Sequence, residues 1–328
     1  MIISKTPYRI SLFGGGTDHK EYYTKRDGIV IGGAINKYLY LSLRKLPIFF
    51  DHTFRVSWSK IENVKSIKKI SHPVVRELYK FYKIREGLEL HYDGDLPGNS
   101  GTGSSAAFCV GLIKCLSNLK KQKLSNKELY ELGYLIEKHK LKESTGIQDH
   151  IFATHGGFNK IIFNKKKIKI NSLNINKKKI KDLEENLIIF YTKIKRSANI
   201  IEKSKNFASI KTIRILNDIK SLAFHAEKEL ISRSNVSTSI IGDLLNENWM
   251  LKKQLSQKVS NNKIDEIYNE AIISGASGGK LLGAGGGGFM LFYCKKNNQQ
   301  FLKKKLNKFT SLNFKFINSG SEIIENEI

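Results

Sequence analysis

The segment Leu96–Ala107 reads LPGNSGTGSSAA, and it decides the fold of this chain. It follows GLELHYD at Gly87–Asp93, whose alternation of apolar and polar residues predicts a half-buried β-strand. The residues from Ser104 onward, SSAAFCVGLIKCLSNL, predict a mostly apolar helix. A glycine-rich turn that opens into a helix presents unpaired backbone N–H groups, and the helix dipole adds positive charge there. The segment therefore predicts a phosphate-binding loop, with a serine-capped turn that binds nothing as the alternative.

Two better-known phosphate-binding motifs do not fit this chain. Gly101, Gly103 and Ala106 match the dinucleotide pattern G-x-G-x-x-A, but the strand before them is amphipathic and no acid follows about 20 residues later. Gly279–Lys280 resembles the end of a Walker A loop, but Leu281 stands where that motif requires Ser or Thr. The protein-kinase motifs are also absent. Neither a Rossmann site nor a P-loop is predicted.

Patterns outside the loop predict two α+β domains. Ser125 and Glu128 form a capping box for a second helix that runs to about Lys140. Strands and helices mix without strict βαβ alternation, which favours α+β domains over a doubly wound sheet. The Lys- and Asn-rich stretch Lys165–Asp182 separates the halves, so we expect domains at 1–182 and 183–328. In the second half, strands are predicted at Leu187–Tyr191 and Phe289–Tyr293, and helices around Ile210–Ile231, Ser239–Val259 and Ile264–Ile273.

Composition narrows the class of partner. The chain has 328 residues and a formal net charge of +26, mostly from lysines spread along a sequence rich in Ile and Asn. The lysine runs carry few aromatic residues, so we expect a solvated basic surface that favours small anionic substrates, and no nucleic-acid partner. Three cysteines without a C-x-x-C pair predict neither a disulfide framework nor a zinc site. The sequence has no signal-peptide pattern and no apolar run near the ~20 residues of a membrane span, so we expect a cytoplasmic protein with no membrane partner.

Two further glycine clusters accompany the loop, FGGGTD at Phe13–Asp18 and GAGGGG at Gly283–Gly288. Three separated clusters in one globular chain suggest a common ligand that the backbone approaches closely. Together, PYRISLFGGGTD at Pro7–Asp18, the loop itself and the glycine-rich segment Lys280–Phe289 resemble the three motifs of the GHMP kinase superfamily in order and spacing. FGGGTD, with GIQDH at Gly146–His150, looks most like the branch of bacterial heptose 7-phosphate kinases, with fucokinase-like enzymes nearby.

The resemblance implies a fold and two ligands. The N-terminal domain would resemble the second domain of ribosomal protein S5, and the C-terminal domain would be ferredoxin-like. ATP would lie over the second motif with Mg²⁺, and a small-molecule sugar phosphate would bind between the domains. The oligomeric state is not indicated by the sequence, and a homodimer is left open.

The resemblance also implies roles for particular residues. Asp149 aligns with the catalytic aspartate and Arg9 with the basic residue beside it, while Glu137 with Ser104 or Ser105 would bind Mg²⁺. His150 stands where these relatives usually have glutamine. Lys193 or Arg196 is a candidate to hold a second phosphate on the acceptor, and the alternative is that both are solvated residues at the start of a helix. The expected ATP contacts are Pro97, Gly98, Asn99, Ser100, Gly101, Thr102, Gly103, Ser104 and Ser105. The expected acceptor contacts are Gly15, Gly16, Thr17, Asp18, His150, Lys193, Arg196, Gly286 and Gly287.

The activity implied by the resemblance is ATP-dependent phosphorylation of a sugar hydroxyl. The favoured acceptor is D-glycero-D-manno-heptose 7-phosphate, phosphorylated on its anomeric oxygen to the 1,7-bisphosphate, for synthesis of nucleotide-activated heptose and a surface glycan. The alternatives are a free-sugar 1-kinase, another sugar-phosphate kinase and, more distantly, a basic nucleic-acid-binding protein with an S5-like domain.

Overall fold

The computed structural model describes residues 1–232 and 237–327, which form two sheets flanked by helices. The strands are β1 Ile2–Phe13, β2 Gly28–Lys45, β3 Phe54–Ser57, β4 Ile61–Val64, β5 Leu88–Gly94, β6 Phe158–Phe163, β7 Ile168–Ser172, β8 Leu187–Tyr191, β9 Ala276–Leu281, β10 Phe289–Cys294, β11 Thr310–Leu312 and β12 Glu322–Asn326. The helices are α1 Lys20–Arg26, α2 Pro73–Phe81, α3 Ser104–Leu119, α4 Asn126–Leu135, α5 Gln148–His155, α6 Lys177–Asn186, α7 Ala198–Lys203, α8 Ile210–Ile231, α9 Ile240–Lys253, α10 Asn262–Ile273 and α11 Gln299–Lys305.

The first sheet supports the phosphate-binding loop. Its strand order is β12-β1-β2-β5-β3-β4, and β6 and β7 extend it beside β2. The long strand β2 pairs with β1 along one edge, while its other edge pairs with β6 and then with β5. Helix α3 packs across β1 and β2 and is buried from Ala106 to Ile113, because the residues of this stretch are apolar or small. The loop before α3 is therefore held against the centre of the first domain.

The second sheet has the strand order β11-β8-β10-β9, with every pair antiparallel. In order of sequence, its strands lie in the spatial order four, one, three, two. Helices connect the first strand to the second and the third to the fourth. This is the ferredoxin-like arrangement that the family resemblance implied, so that part of the predicted fold is confirmed.

Several predicted elements occur at their expected places. The strand Leu187–Tyr191 and the helix Ile210–Ile231 have the predicted bounds. The capping box is formed, since the Glu128 N–H donates to Ser125 Oγ and the Ser125 N–H donates to the Glu128 carboxylate. The helix it starts remains α-helical to Leu135 and continues as a π-helical turn, Ile136–Lys140. All three cysteines are buried and free.

The C-terminus returns to the first sheet. Strand β12 pairs antiparallel with β1, with Ile2 opposite Asn326, and so covers an edge that would otherwise carry unpaired backbone groups. Residues of the predicted second domain, 183–328, thus complete the sheet of the first. The boundary at residue 182 stays a prediction, and helix α6 runs across that position.

Candidate active site

A cavity with about 1070 Å³ of open space adjoins the start of α3 and is lined by residues of both halves of the chain. The N-terminal half contributes β1, the first glycine cluster, the phosphate-binding loop and residues 137–149. The C-terminal half contributes residues 196–205, helix α9 and the end of β9. All three sequence motifs therefore reach one cavity.

The phosphate-binding loop reaches α3 through left-handed backbone at Asn99, Gly101 and Gly103, with φ of 56°, 89° and 79°. Gly103 is the N-cap, and no side chain caps the helix, so its first N–H groups are left for a ligand. Five of the nine expected ATP contacts line the cavity: Asn99, Gly101, Gly103, Ser104 and Ser105.

The other four expected ATP contacts lie elsewhere. Ser100 and Thr102 are buried and turned inward, where their hydroxyls lie 3.0 Å apart. The Thr102 carbonyl accepts a 3.0 Å hydrogen bond from the Arg9 N–H, and the Ser100 carbonyl accepts one of 2.9 Å from the Phe289 N–H. These residues hold the loop in shape. Pro97 and Gly98 are exposed residues at its outer end, beyond the cavity lining.

Arg9 and Asp149 form a bidentate ion pair in the cavity. Arg9 Nε and Nη2 donate to the two carboxylate oxygens of Asp149 at 2.9 and 2.7 Å, and Nη1 donates to the Gly101 carbonyl at 2.7 Å. Arg9 is 4% exposed, while Asp149, in the first turn of α5, is 24% exposed. The guanidinium therefore fixes Asp149 against the phosphate-binding loop, and the carboxylate still faces the cavity.

Asp18 is a second carboxylate in this cavity, and it is buried. Its oxygens accept hydrogen bonds from the Gly16 N–H at 3.1 Å and the Gln148 N–H at 3.3 Å. Burial raises the pKa of Asp18, and the neighbouring Asp149 raises it further, while His19 acts in the opposite direction. Gly146 makes room for this carboxylate, since a Cβ there would lie 1.9 Å from Asp18 Oδ2.

Glu137 lies on the π-helical turn and is paired with Ser105. Ser105 Oγ donates to Glu137 Oε1, and His150 Nε2 lies 3.1 Å from Glu137 Oε2. Burial alone would raise the pKa of Glu137, but the charge of His150 and the hydrogen bonds from His150 and Ser105 bring it below its usual value. Ser104 has another partner, because its Oγ accepts from the Asn99 N–H at 3.2 Å. Ser105, rather than Ser104, is therefore the serine beside Glu137.

This pair is suited to magnesium. Mg²⁺ usually takes one or two carboxylates and completes its octahedral shell with phosphate oxygens and water. Glu137 and Ser105 supply hard oxygens next to the N-terminus of α3. Across residues 1–232 and 237–327, no group of three or more His, Cys, Asp and Glu side chains is placed to hold a metal ion. Mg²⁺ bound here would neutralise charge on the transferring phosphates.

Sequence reasoning missed a cationic wall that the C-terminal half contributes to the cavity. Lys252 lies on α9 and Lys280 on β9, and both are buried. Burial lowers the pKa of Lys280 to about 7, with Arg9 adding to the effect, and lowers the pKa of Lys252 well below its usual value. Lys252 follows Leu245 and Trp249 at helical spacing on the buried face of α9, so a lysine in a core pattern was the signal available.

Glu202 is a carboxylate in the same part of the cavity lining. Lys205 Nζ lies 2.7 Å from Glu202 Oε1, and His19 Nε2 lies 3.3 Å from Oε2. Burial would raise the pKa of Glu202, but the charge of Lys205 and the hydrogen bond from His19 hold it well below its usual range. The carboxylate therefore remains charged inside the cavity.

Several buried polar atoms in the cavity lack a hydrogen-bond partner within the described part of the chain. Groups of this kind cost free energy unless a ligand or water satisfies them. They supply the cavity with both donors and acceptors, as a polyhydroxylated ligand requires. They are Ser11 Oγ, His19 Nδ1, Gln148 Oε1, Arg196 Nη1 and Asn248 Oδ1.

The expected acceptor contacts differ in whether they line the cavity. Gly15, Gly16, Asp18 and Arg196 line the cavity, but Thr17 does not. Thr17 Oγ1 is fully buried and donates to the carbonyls of Gly14 and Ile29, so it shapes the first glycine cluster.

His150 and Lys193 also lie outside the cavity lining. His150 is fully buried beside Gly133 and Glu137, because consecutive residues of α5 point about 100° apart and Asp149 occupies the cavity side. Lys193 has a φ of 60°, and its exposed side chain borders a separate shallow groove.

Gly286 and Gly287 lie behind Arg196 and not in the cavity lining. The Gly287 carbonyl accepts a 3.0 Å hydrogen bond from Arg196 Nε, and the Gly286 N–H donates to the Val259 carbonyl at 2.8 Å. Of the third glycine cluster, Gly283 and Ala284 line the cavity.

Comparison with known proteins agrees with this architecture. Residues 66–157 match the GHMP kinases N terminal domain, and residues 235–311 match the GHMP kinases C terminal domain. D-glycero-alpha-D-manno-heptose 7-phosphate kinase of Campylobacter jejuni is 33% identical over 298 residues, covering 86% of each chain. A solved putative sugar kinase from Campylobacter jejuni has a TM-score of 0.74 at 29% identity and covers 98% of this chain and 97% of its own. A solved D-glycero-D-manno-heptose 1-phosphate kinase from Bacteroides thetaiotaomicron has a TM-score of 0.80 at 21% identity, covers 100% of both chains and supports the fold.

A glycine loop at a helix N-terminus, an Arg–Asp pair beside it and a polar cavity between two α+β domains define a small-molecule phosphotransferase. With both domain matches and the 33% identical relative, the chain belongs to the GHMP kinases and is an ATP-dependent phosphotransferase. The family predicted from the three sequence motifs is thereby confirmed. Within the described residues, every helix is too short or too polar to cross a membrane.

Proposed function

We propose that this kinase transfers the γ-phosphate of ATP to the anomeric oxygen of D-glycero-D-manno-heptose 7-phosphate, giving the 1,7-bisphosphate. The observation that carries the proposal is the cavity itself. Its lining brings together the phosphate-binding loop, the Arg9–Asp149 pair, unpartnered polar atoms and buried cations. A nucleotide on one side and a polar, anionic acceptor on the other would meet at Asp149.

The residues support transfer without a covalent enzyme intermediate. Phosphoryl transfer asks mainly for positioning and charge neutralisation. Asp149 orients the acceptor hydroxyl and accepts its proton, since each carboxylate oxygen keeps a free lone pair beyond its bond to Arg9. Arg9 holds Asp149 in place. Glu137 and Ser105 would hold Mg²⁺, which would neutralise charge on the phosphates together with the first N–H groups of α3.

The acceptor assignment rests on two kinds of support. The Campylobacter jejuni relative is named for a heptose 7-phosphate and is similar over most of both chains. The buried Asp18 and the unpartnered amide and hydroxyl oxygens suit sugar hydroxyls, because a pocket built on hydrogen bonds strongly disfavours analogues that lack them.

A kinase for an unphosphorylated sugar is the second candidate. The polar pocket would suit it equally, but the buried lysines of the cavity favour an acceptor that carries its own anion. A nucleic-acid-binding role is less well supported, because these cations lie inside a cavity rather than on an exposed stripe.

A screen of ATP consumption over heptose and hexose phosphates and their unphosphorylated sugars tests the proposal. We expect the highest kcat/KM with D-glycero-D-manno-heptose 7-phosphate, and NMR of the product should show a new phosphate on C1. The matched control is Asp149→Asn protein, which excludes a contaminating kinase. A preference for an unphosphorylated sugar, or phosphate transfer to another hydroxyl, would overturn the assignment.

A further inference from the structure

The loop between β2 and β3 carries an apolar tip. The loop reads LPIFFDH at residues 46–52, and its side chains Ile48, Phe49 and Phe50 are 94%, 91% and 40% exposed. Single exposed apolar residues are ordinary on a protein surface, but adjacent large ones that project into solvent mark an interaction site. Residues 48–50 are called the apolar tip below.

The apolar tip lies at the end of the first sheet away from the phosphate-binding loop. Strand β5 begins beside the tip at Leu88, whose N–H donates to the Thr53 carbonyl at 3.1 Å, and the strand ends shortly before the phosphate-binding loop. Strand β2 leads to the same end, because Ala34 pairs with Arg9 of the active site and Lys45 follows eleven residues later. At about 3.3 Å per residue, the tip is separated from Arg9 by roughly 35 Å along the strand. The tip is therefore remote from the candidate active site.

Three other segments meet the loop at this end of the first domain. Segment 84–88 joins it through the Leu46 N–H, which donates to the Gly87 carbonyl at 2.9 Å. Helix α2 joins it at the base of the loop, where the rings of Tyr79 and Phe54 lie 5.7 Å apart. The end of α3 is adjacent, because Lys120 pairs with a carboxylate of segment 84–88 at 2.9 Å. The four segments together form the surface that surrounds the apolar tip.

This surface is basic. Of its acids, Asp51 is exposed, while Glu77 and Glu86 are each paired with a lysine of the same surface at 2.9 Å or less. The bases outnumber these acids and include Lys45, Lys80, Lys83, Arg85, Lys120 and Lys121. The apolar tip thus projects from a positively charged surface, which favours an anionic partner.

Charge and shape select the kind of partner. A second copy of this chain would place the same bases opposite one another across a two-fold interface, and like charges repel. A stable protein interface also buries about 800 Å² on each partner, whereas the tip consists of three side chains on one loop. An anionic lipid bilayer fits both features, because its head groups attract bases and its acyl boundary accepts large apolar side chains.

We infer that this end of the molecule binds the surface of an anionic lipid bilayer, with Ile48 and Phe49 inserted and the surrounding bases against the head groups. The contact is peripheral and needs no spanning helix. It differs from the sequence-based expectation of no membrane partner, which rested on the lack of a signal peptide and of a spanning run. The inference is independent of the proposed acceptor, because the tip is remote from the cavity.

Flotation of the full chain with lipid vesicles tests the inference. Vesicles of phosphatidylglycerol and phosphatidylcholine in equal parts are compared with vesicles of phosphatidylcholine alone, at low and at raised salt. We expect the wild type to bind the anionic vesicles, to bind the neutral vesicles much more weakly, and to be released by salt. The double variant Ile48→Ser, Phe49→Ser should lower the partition coefficient about 10- to 100-fold, because two apolar side chains no longer insert.

The matched control is the double variant Ile210→Ser, Ile273→Ser, which should keep wild-type binding. It also removes two apolar side chains, which are 87% and 80% exposed on helices of the C-terminal half. The double variant Lys45→Gln, Arg85→Gln should weaken binding about fivefold per charge removed. The emission of Phe49→Trp should move to shorter wavelength when anionic vesicles are added, because the indole ring leaves water. Urea unfolding checks that each variant is folded.

Four results would overturn the inference. They are no binding of the wild type to anionic vesicles, equal binding by Ile48→Ser, Phe49→Ser, an equal loss in the matched control, and an unchanged emission of Phe49→Trp on vesicles. A dimer in analytical ultracentrifugation that dissociates in Ile48→Ser, Phe49→Ser would assign the tip to a second copy of the chain instead.

Discussion

Gly146→Ala tests whether Asp18 holds the acceptor. Gly146 needs no special backbone conformation, so the obstacle to alanine is contact with a side chain. Its Cβ would lie 1.9 Å from Asp18 Oδ2 and 2.5 Å from Cγ. Real Cβ contacts begin near 3.0 Å, so the carboxylate must move by about 1 Å.

That movement is costly because Asp18 is 1% exposed and both its oxygens are hydrogen-bonded to backbone N–H groups. Overpacking of this kind should lower the free energy of unfolding by about 1–3 kcal/mol. A 1 Å error in a positioning group can reduce turnover about 10²-fold, so we expect kcat/KM for the sugar acceptor to fall by roughly that factor. The KM for ATP should change much less, since the three atoms nearest to a Cβ at Gly146 all belong to Asp18.

The assay is coupled ADP release at saturating MgATP, with urea unfolding measured in parallel. Gly98→Ala is the matched control, because a Cβ there meets nothing within 4 Å and its residue lies outside the cavity lining. Normal acceptor kcat/KM in Gly146→Ala, together with the expected loss of stability, would refute the role given to Asp18. A KM for ATP that rises as much as the KM for the acceptor would move Asp18 to the nucleotide side.

Three further predictions follow from the same geometry. Asp149→Asn should reduce kcat about 10²–10⁴-fold with unchanged ATP affinity, and near-normal turnover would remove Asp149 from the chemistry. Glu137→Gln should raise the Mg²⁺ concentration needed for half-maximal rate, since one charged hard ligand is lost, and an unchanged titration would contradict a metal site there. The pKa of Lys280 is lowered to about 7 by burial, so its charged fraction falls as pH rises above 7. The phosphate of the heptose stays dianionic between pH 7 and 9, so the KM for the phosphorylated heptose should rise over this range as Lys280 loses its charge. Arginine stays charged, so Lys280→Arg should flatten that rise if the mutant folds.

Short sequence patterns were sufficient to predict several helices and strands. The strand at Leu187–Tyr191 and the capping box at Ser125 depend on neighbouring residues, and the structure has both where they were predicted. The helix after the phosphate-binding loop begins at Ser104 for the same reason. Arg9 and Asp149, which are distant in sequence, were brought together only by the family resemblance, because no local pattern encodes their 2.7 Å contact.

Side-chain direction is what sequence reasoning could not supply. His150 was expected at the acceptor because it stands where the resembling enzymes usually have glutamine. Successive residues on a helix point to different sides, however, and His150 faces Glu137. Lys193 follows a buried strand as Arg196 does, yet a left-handed turn directs it to solvent. Lys252 belongs to no motif, and Lys280 entered the sequence analysis only as the first residue of the third glycine-rich motif. The position of both lysines in the cavity depends on how the second sheet packs against the first.

The third glycine cluster is better explained by packing than by ligand contact. A Cβ at Gly288 would lie 2.2 Å from the Ser100 carbonyl oxygen, and one at Gly283 would lie 2.7 Å from Gly101 Cα. The Phe289 N–H donates to that same Ser100 carbonyl at 2.9 Å. The C-terminal half thus needs glycine there in order to approach the phosphate-binding loop itself. Because a backbone hydrogen bond from the second sheet helps to set the loop, the shape of the phosphate-binding loop depends on the C-terminal half of the chain. This dependence is a physical reason for the two halves to act as one enzyme.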